Sequence, residues 1–271
     1  MVNYDAKKLW GAYGKGATFG VVAGLLLVTG CTPRPPLTPT IPSEMVIVPA
    51  GWFGMGYDAG PKSSQPYHPV YLEAFAIDRT EVTNAAFAEF VAQTGFQPKR
   101  GWTAEEAQAR ATEPVVGVAW AEAEAYCRWA GKRLPTEAEW EKAARGTDGR
   151  LYSWGNEWDA ARANTLESEH GEVRPVGSYP AGASPYGALD MAGNAAEWVA
   201  DYFDFTYYTV APDHNPTGPT RVLDRVLRGG SWASPHHQVQ TFFRDSSHSA
   251  EPNLRLGFRC ALSLPGADTR P

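Results

Sequence analysis

Cysteine is scarce in this chain, three among 271 residues, too few for a disulfide framework. A basic surplus is also missing. Twenty-four Lys and Arg stand against 30 Asp and Glu, a net charge of −6, which excludes a nucleic-acid-binding surface. No apolar run is long enough to cross a bilayer as a helix. There is no phosphate-cradling glycine loop, no internal repeat and no sign of a second domain. What the chain has in quantity is Gly (27), Pro (22) and Trp (10). That composition describes a turn-rich fold pinned by aromatic anchors rather than a helical bundle.

The N-terminal stretch sets the compartment. Lys7, Lys8 and Lys15 precede the apolar run Ala17–Val28 (ATFGVVAGLLLV), which is short for a membrane span but suits the core of a signal peptide. Val28-Thr29-Gly30-Cys31 resembles a bacterial lipobox. The resemblance implies cleavage before Cys31, lipid on its thiol, and attachment of the exported protein to the cell envelope. The attachment would face the periplasm from the outer membrane, or lie on the outer face of the cytoplasmic membrane. Residues 1–30 are thus the expected signal peptide, and the Pro- and Thr-rich residues 31–43 a stiff tether. Cys127 and Cys260 then remain in an oxidising compartment. They either pair, closing a long loop that stabilises by about 4–5 kcal/mol, or sit as two separately buried thiols.

From residue 44 the pattern is α+β with little regular structure. Met45–Met55 alternates around Val46, Val48, Trp52 and Phe53 and reads as a hairpin turning at Pro49-Ala50-Gly51. Tyr71–Ile77 reads as another strand. Thr83 caps a helix over 84–93 that Gly95 ends, and a second helix spans 121–130. Thr136 and Glu139 form a capping box opening a helix to about Arg145. Glu137, Glu139 and Glu141 alternate along it and read as solvated. Residues 264–271 form a frayed tail.

The chemistry is expected between Arg228-Gly229-Gly230-Ser231-Trp232 and a last buried strand at 257–261. Polar, irregular chain held at both ends by rigid elements is where sites form. The candidate pocket is Ser231, Trp232, Ser234, His236, His237, Arg244 and His248. Ser231, His236 and Asp245 supply the residue types of a nucleophilic triad, but no nucleophile elbow is present.

Five stretches carry a family likeness: MVIVPAG at 45–51, GKRLPTEAEW at 131–140, MAGNAAEW at 191–198, RGGSW at 228–232 and LGFRC at 256–260. In this order and spacing, 44–263 resembles the formylglycine-generating enzyme (sulfatase-modifying factor) family. The resemblance implies a single compact domain with a C-type-lectin-like fold, a Cys127–Cys260 disulfide, and calcium held by Asp190, Gly193, Ala195 and Glu197. Hard cations take such carboxylate and carbonyl oxygens. A second calcium site would begin at Asn164 and Thr165. The oxidases of this family hold copper between two cysteines, and those positions fall here on Ser234 and Val239, while an active-site Trp falls on Ala196. A soft metal wants thiolates, so these residues argue against copper and against formylglycine formation. Three functions remain: a calcium-stabilised scaffold binding a protein or small-molecule ligand; a divergent oxidoreductase with another transition metal on His236, His237 or His248; or a structural component of an envelope machine.

Overall fold

Thr136 ends an extended stretch, accepts a hydrogen bond from the Glu139 amide, and receives the Glu139 side chain on its own amide. This reciprocal cap starts the helix at the centre of the molecule. The computed structural model describes residues 42, 44–99, 102–220, 223–248 and 253–264. The expected signal peptide, Cys31, all of the tether but Pro42, and all of the tail but Leu264 lie outside them.

Among these residues the chain forms nine strands and four α-helices. The strands are β1 Met45–Val48, β2 Gly51–Met55, β3 His68–Leu72, β4 Phe75–Asp78, β5 Ala196–Tyr202, β6 Asp224–Arg228, β7 Asp245–His248, β8 Leu256–Phe258 and β9 Ala261–Ser263. The helices are α1 Asn84–Thr94, α2 Ala104–Ala109, α3 Trp120–Trp129 and α4 Glu137–Arg145. One sheet has the order β1-β4-β9, a second is the β2-β3 ribbon, and a third runs β7-β6-β5-β8 with β5 and β8 parallel. This is the α+β architecture of low regular content expected from the sequence. No described helix is long and apolar enough to cross a membrane.

Every residue of α4 is buried. Its Ala138, Trp140, Ala143 and Ala144 pack with Phe53, Val70, Leu72, Met191, Val199 and Val226 from three directions. A second core gathers Phe87, Phe90, Tyr126 and Phe258 between α1, α3 and β8, with ring centroids 5.4–6.4 Å apart. Cys127 on α3 and Cys260 after β8 are joined there by a disulfide.

Four sequence expectations change. Met45–Met55 is not a hairpin: β1 pairs with β4 and β2 with β3, so the Pro49–Gly51 turn hands the chain from one sheet to another. Tyr71–Ile77 is likewise broken at Glu73-Ala74, and the strand expected at 257–261 is divided between the end of β8 and the start of β9, in different sheets. The fourth change concerns the acids of α4, which are not solvated.

Candidate functional site

Glu137 and Glu141 stand one helical turn apart on α4 and are 1% and 0% exposed. Residues at this spacing share a face, and this face looks onto the loops around the cleft. Glu137 accepts Arg244 Nε at 2.7 Å and Nη2 at 2.9 Å, and Arg228 Nη1 at 3.2 Å. Glu141 accepts Arg228 Nη2 at 2.7 Å, Arg145 Nη1 at 2.8 Å and the Gly56 amide at 2.8 Å. Arg228 continues to the Thr241 carbonyl at 2.5 Å, and Arg244 to the Ser63 carbonyl at 2.6 Å. Buried charges persist only when paired and hydrogen-bonded in this way. Arg244 is therefore an internal tie, not a pocket residue, and the alternation of three glutamates concealed that two of them face inward. Glu139, on the other side, bonds Arg133 through both oxygens at 2.6 Å.

A second tie runs parallel. Arg259 bonds Glu197 Oε2 at 2.7 Å and Oε1 at 2.6 Å, and Trp140 Nε1 donates to Glu197 Oε2 at 2.8 Å. The residues of four of the likeness stretches thus meet inside the protein, fixing the loops above.

What they fix is a cleft of about 230 Å³ between the Gly229–Gln238 loop, β7 and the Asn253–Leu256 segment. Gly229 and Gly230 have φ of +82° and +65°. A Cβ on Gly230 would come within 2.8 Å of Val239 and 3.1 Å of Ser234, so both of these residues pack against this glycine. Polar groups of Ser231, Ser234, Ser246, Ser247, Asp245 and Arg255 line the cleft beside the apolar Ala196 and Leu256. The Ser231 and Ser234 hydroxyl oxygens are 3.5 Å apart, and Ser234 Oγ accepts the Ser231 amide at 3.0 Å. Trp232 sits at the edge, its ring centroid 5.3 Å from the Arg255 guanidinium and its amide donating to the Asn194 carbonyl. Both cysteines among the described residues belong to the disulfide, so no free thiol faces Ser231.

The histidines stand elsewhere. His236 and His237 occupy an exposed single turn, and the His236 amide and Nδ1 both meet Glu167 Oε1, at 2.8 and 2.9 Å. Burial pushes the Glu167 carboxyl up, but these bonds and one from the Thr165 hydroxyl outweigh it and hold it down at about 2. His248 is exposed at the end of β7, paired with Asp224 on β6. Among the described residues no three His, Cys, Asp or Glu side chains converge as metal ligands, and His236 bonds to Glu167 rather than Ser231. The stretch 245–248, expected to be irregular, is strand β7, and Asp245, Ser246 and Ser247 wall the cleft, the two serines unnamed by the sequence reading.

The loop expected to hold calcium fits only in part, because both oxygens of Glu197 are taken by Arg259 and Trp140. Asp190 and Asn194 adopt left-handed backbone, φ +56° and +61°, and Asp190 Oδ2 accepts the Gly177 amide at 2.6 Å. Glu81, Asp190 and Glu197 are all buried near the single guanidinium of Arg259. Burial raises the carboxyls of Glu81 and Asp190, and their mutual repulsion adds to this at Glu81. Glu81 Oε2 has no hydrogen-bond partner. A buried excess of acid with an orphaned oxygen fits a hard cation. Asn164 and Thr165 fit less well. The Asn164 side chain bonds Glu172, Asn194 and Ser168, and the Thr165 hydroxyl bonds Glu167. Their polar atoms hold the 164–168 loop against Gly193 and Asn194.

A larger cleft of about 790 Å³ lies apart, lined by Leu72, Trp120, Arg128, Arg133 and Ser263 among others. Its Lys132 and Arg133 are taken by Asp78 and Glu139.

Comparison with known proteins agrees with this architecture. The sulfatase-modifying factor enzyme 1-like domain model matches residues 34–264. A formylglycine-generating enzyme of Streptomyces coelicolor is 37% identical over 292 residues, covering 84% of this chain and 92% of that protein. A serine/threonine-protein kinase pkn1 of Chlamydia caviae is 36% identical over 241 residues and 82% of this chain, which spans only 38% of that longer protein. The solved structure of PvdO from Pseudomonas aeruginosa superposes with a TM-score of 0.70 at 28% identity, covering 81% of this chain and 94% of that one. The fold is that of the formylglycine-generating enzymes, and the chain belongs to the family of sulfatase-modifying factor enzyme 1-like domains.

Proposed function

We propose that this family member is an exported, lipid-anchored scaffold that binds a ligand in the Ser231–Ser247 cleft and does not form formylglycine. The observation that carries this reading is the cleft itself. The Ser234 hydroxyl lines it and the buried Val239 isopropyl group packs behind Gly230, at the two positions where the resemblance puts the copper thiolates, and both cysteines among the described residues are in the disulfide. Ser231 and Ser234 offer hydrogen bonds to a ligand, while Asp245 and Arg255 place one charge of each sign at the same cleft. Calcium on Asp190, Glu197 and the carbonyls of Gly193 and Ala195 would have to draw Glu197 away from Arg259 and Trp140, and would supply structural charge compensation rather than redox chemistry. An oxidoreductase with a metal on imidazoles is less well supported, because His236, His237 and His248 do not converge.

The test uses the membrane-extracted protein, loaded with copper(I) and supplied with oxygen and cysteine-containing peptides. No aldehyde is expected to form, and elemental analysis is expected to find calcium with no stoichiometric copper. Turnover to formylglycine, or one copper per chain, overturns the reading.

A further inference from the structure

The β2-β3 ribbon presents an aromatic face that folding does not explain. One face, Phe53, Met55, Val70 and Leu72, belongs to the main core. The other face of an antiparallel ribbon is ordinarily polar, yet neither Gly51–Met55 nor His68–Leu72 contains Asp, Glu, Lys or Arg. Trp52 lies opposite Tyr71, and Gly54 opposite Pro69. The Tyr67 ring covers Gly54 so closely that a Cβ there would fall 1.9 Å from its hydroxyl oxygen. Trp52 is 49% and Tyr67 51% exposed. The segment at Asp213–Asn215 binds the Tyr71 backbone on both sides and lays the His214 ring on Tyr71, with centroids 5.2 Å apart, and against Trp52 at 5.0 Å. The rings are therefore held in place before any partner arrives.

We infer that this face, Trp52, Tyr67, Tyr71 and His214, rests in the headgroup layer of the membrane that carries the lipid anchor. Trp and Tyr combine apolar ring area with a polar N–H or O–H, the combination a membrane–water interface accommodates. The strands carry no cationic side chain, so the match is to zwitterionic headgroups rather than to an acidic protein or nucleic acid. Position agrees. Thirteen residues separate Cys31 from the first strand, a reach of at most about 50 Å, and Trp52 follows within the next two strands. The inference rests on lipidation of Cys31. The anchor alone would hold the domain near the bilayer in any orientation; the aromatic face selects one, leaving the Ser231–Ser247 cleft to approach its ligand from a fixed direction.

The experiment exploits the scarcity of cysteine. With Cys31 acylated and Cys127 bonded to Cys260, a Tyr67→Cys chain has one free thiol. It is labelled with a polarity-sensitive fluorophore, and Trp52→Cys serves as a second probe should the first variant fold poorly. Arg128→Cys, at a side chain 75% exposed, is the control. Each anchored protein is reconstituted into phosphatidylcholine vesicles and floated. The expected result is flotation, with the labels at 67 and 52 shielded from an aqueous quencher about threefold or more relative to the label at 128. Flotation with equal quenching at all three positions refutes the docking and leaves the anchor standing. Shielding that appears without vesicles and grows with protein concentration assigns the face to a second copy and refutes the lipid contact. Failure of the wild-type protein to float refutes the anchor, and the docking with it.

Discussion

Replacing Arg244 by methionine keeps much of the side chain's length and apolar stem but removes its guanidinium. Four hydrogen bonds go with it: two to Glu137 at 2.7 and 2.9 Å, and those to the carbonyls of Ser63 at 2.6 Å and Asp204 at 3.2 Å. Losing one partner of a buried ion pair costs about 3–5 kcal/mol, because the other charge stays buried. Glu137 keeps Arg228 and the Tyr208 hydroxyl, each at 3.2 Å, which places Arg244→Met near the lower bound, about 3 kcal/mol. For a domain of this size that corresponds to a fall in Tm of roughly 6–12 °C. The assay is chemical denaturation with the disulfide intact, completed into a double-mutant cycle with Glu137→Gln. The two substitutions should be less costly together than the sum of each alone, by about 1–3 kcal/mol. The exposed Arg128–Glu124 pair sets the scale, since Arg128→Ala is expected to change stability by less than about 0.5 kcal/mol. A loss below about 1 kcal/mol for Arg244→Met, with no coupling to Glu137, would refute the view that this buried tie holds the cleft wall.

Asp201 gives a pH prediction. Burial, and then the neighbouring charge of Glu137, push its carboxyl up to about 8. Between about pH 4 and pH 8 the folded protein holds a proton that the unfolded chain has released, so stability falls as pH rises, by at most about 1.4 kcal/mol per unit. Asp201→Asn, which can still accept the Glu137 amide, is expected to flatten denaturation midpoints between pH 5 and 8; an unchanged slope counts against it. Lys142, lowered to about 8 by burial, pulls the other way only above that window. Chelating calcium is expected to lower Tm by several degrees in the wild type and much less in Asp190→Ala, and equal responses would remove calcium from that loop. Cys127→Ala/Cys260→Ala opens a disulfide spanning 133 residues, with an expected loss of about 4–5 kcal/mol at the denaturation midpoint.

Local signals were readable where one residue's chemistry decides the outcome. Thr83 and Thr136 cap their helices and Gly95 ends α1 in left-handed backbone, as their types require. Pairing partners were not. The alternation of 45–55 is real, but a turn at Pro49–Gly51 closes a hairpin or delivers the chain to another sheet with the same local sequence. The α4 acids failed for a related reason. Their partners lie 107 residues away for Glu137–Arg244 and 87 for Glu141–Arg228, beyond any window of periodicity, although the four-residue spacing of Glu137 and Glu141 could have suggested a shared face. At the cleft, Ser231 and Ser234 were named from their motif. Asp245 was named only for its residue type, and Ser246 and Ser247 not at all, because Asp and Ser have little strand preference; only pairing with β6, Val226 against Ser246, makes them a wall.

The three-stranded sheet also governs when the protein can fold. Its middle strand, Phe75–Asp78, is bordered by Met45–Val48 on one side and Ala261–Ser263 on the other, so the seam closes only after residue 263 has left the ribosome. Contacts of such separation form late and slowly. The same dependence makes the domain indivisible: without residues 261–263 the strand Phe75–Asp78 is left with one open edge.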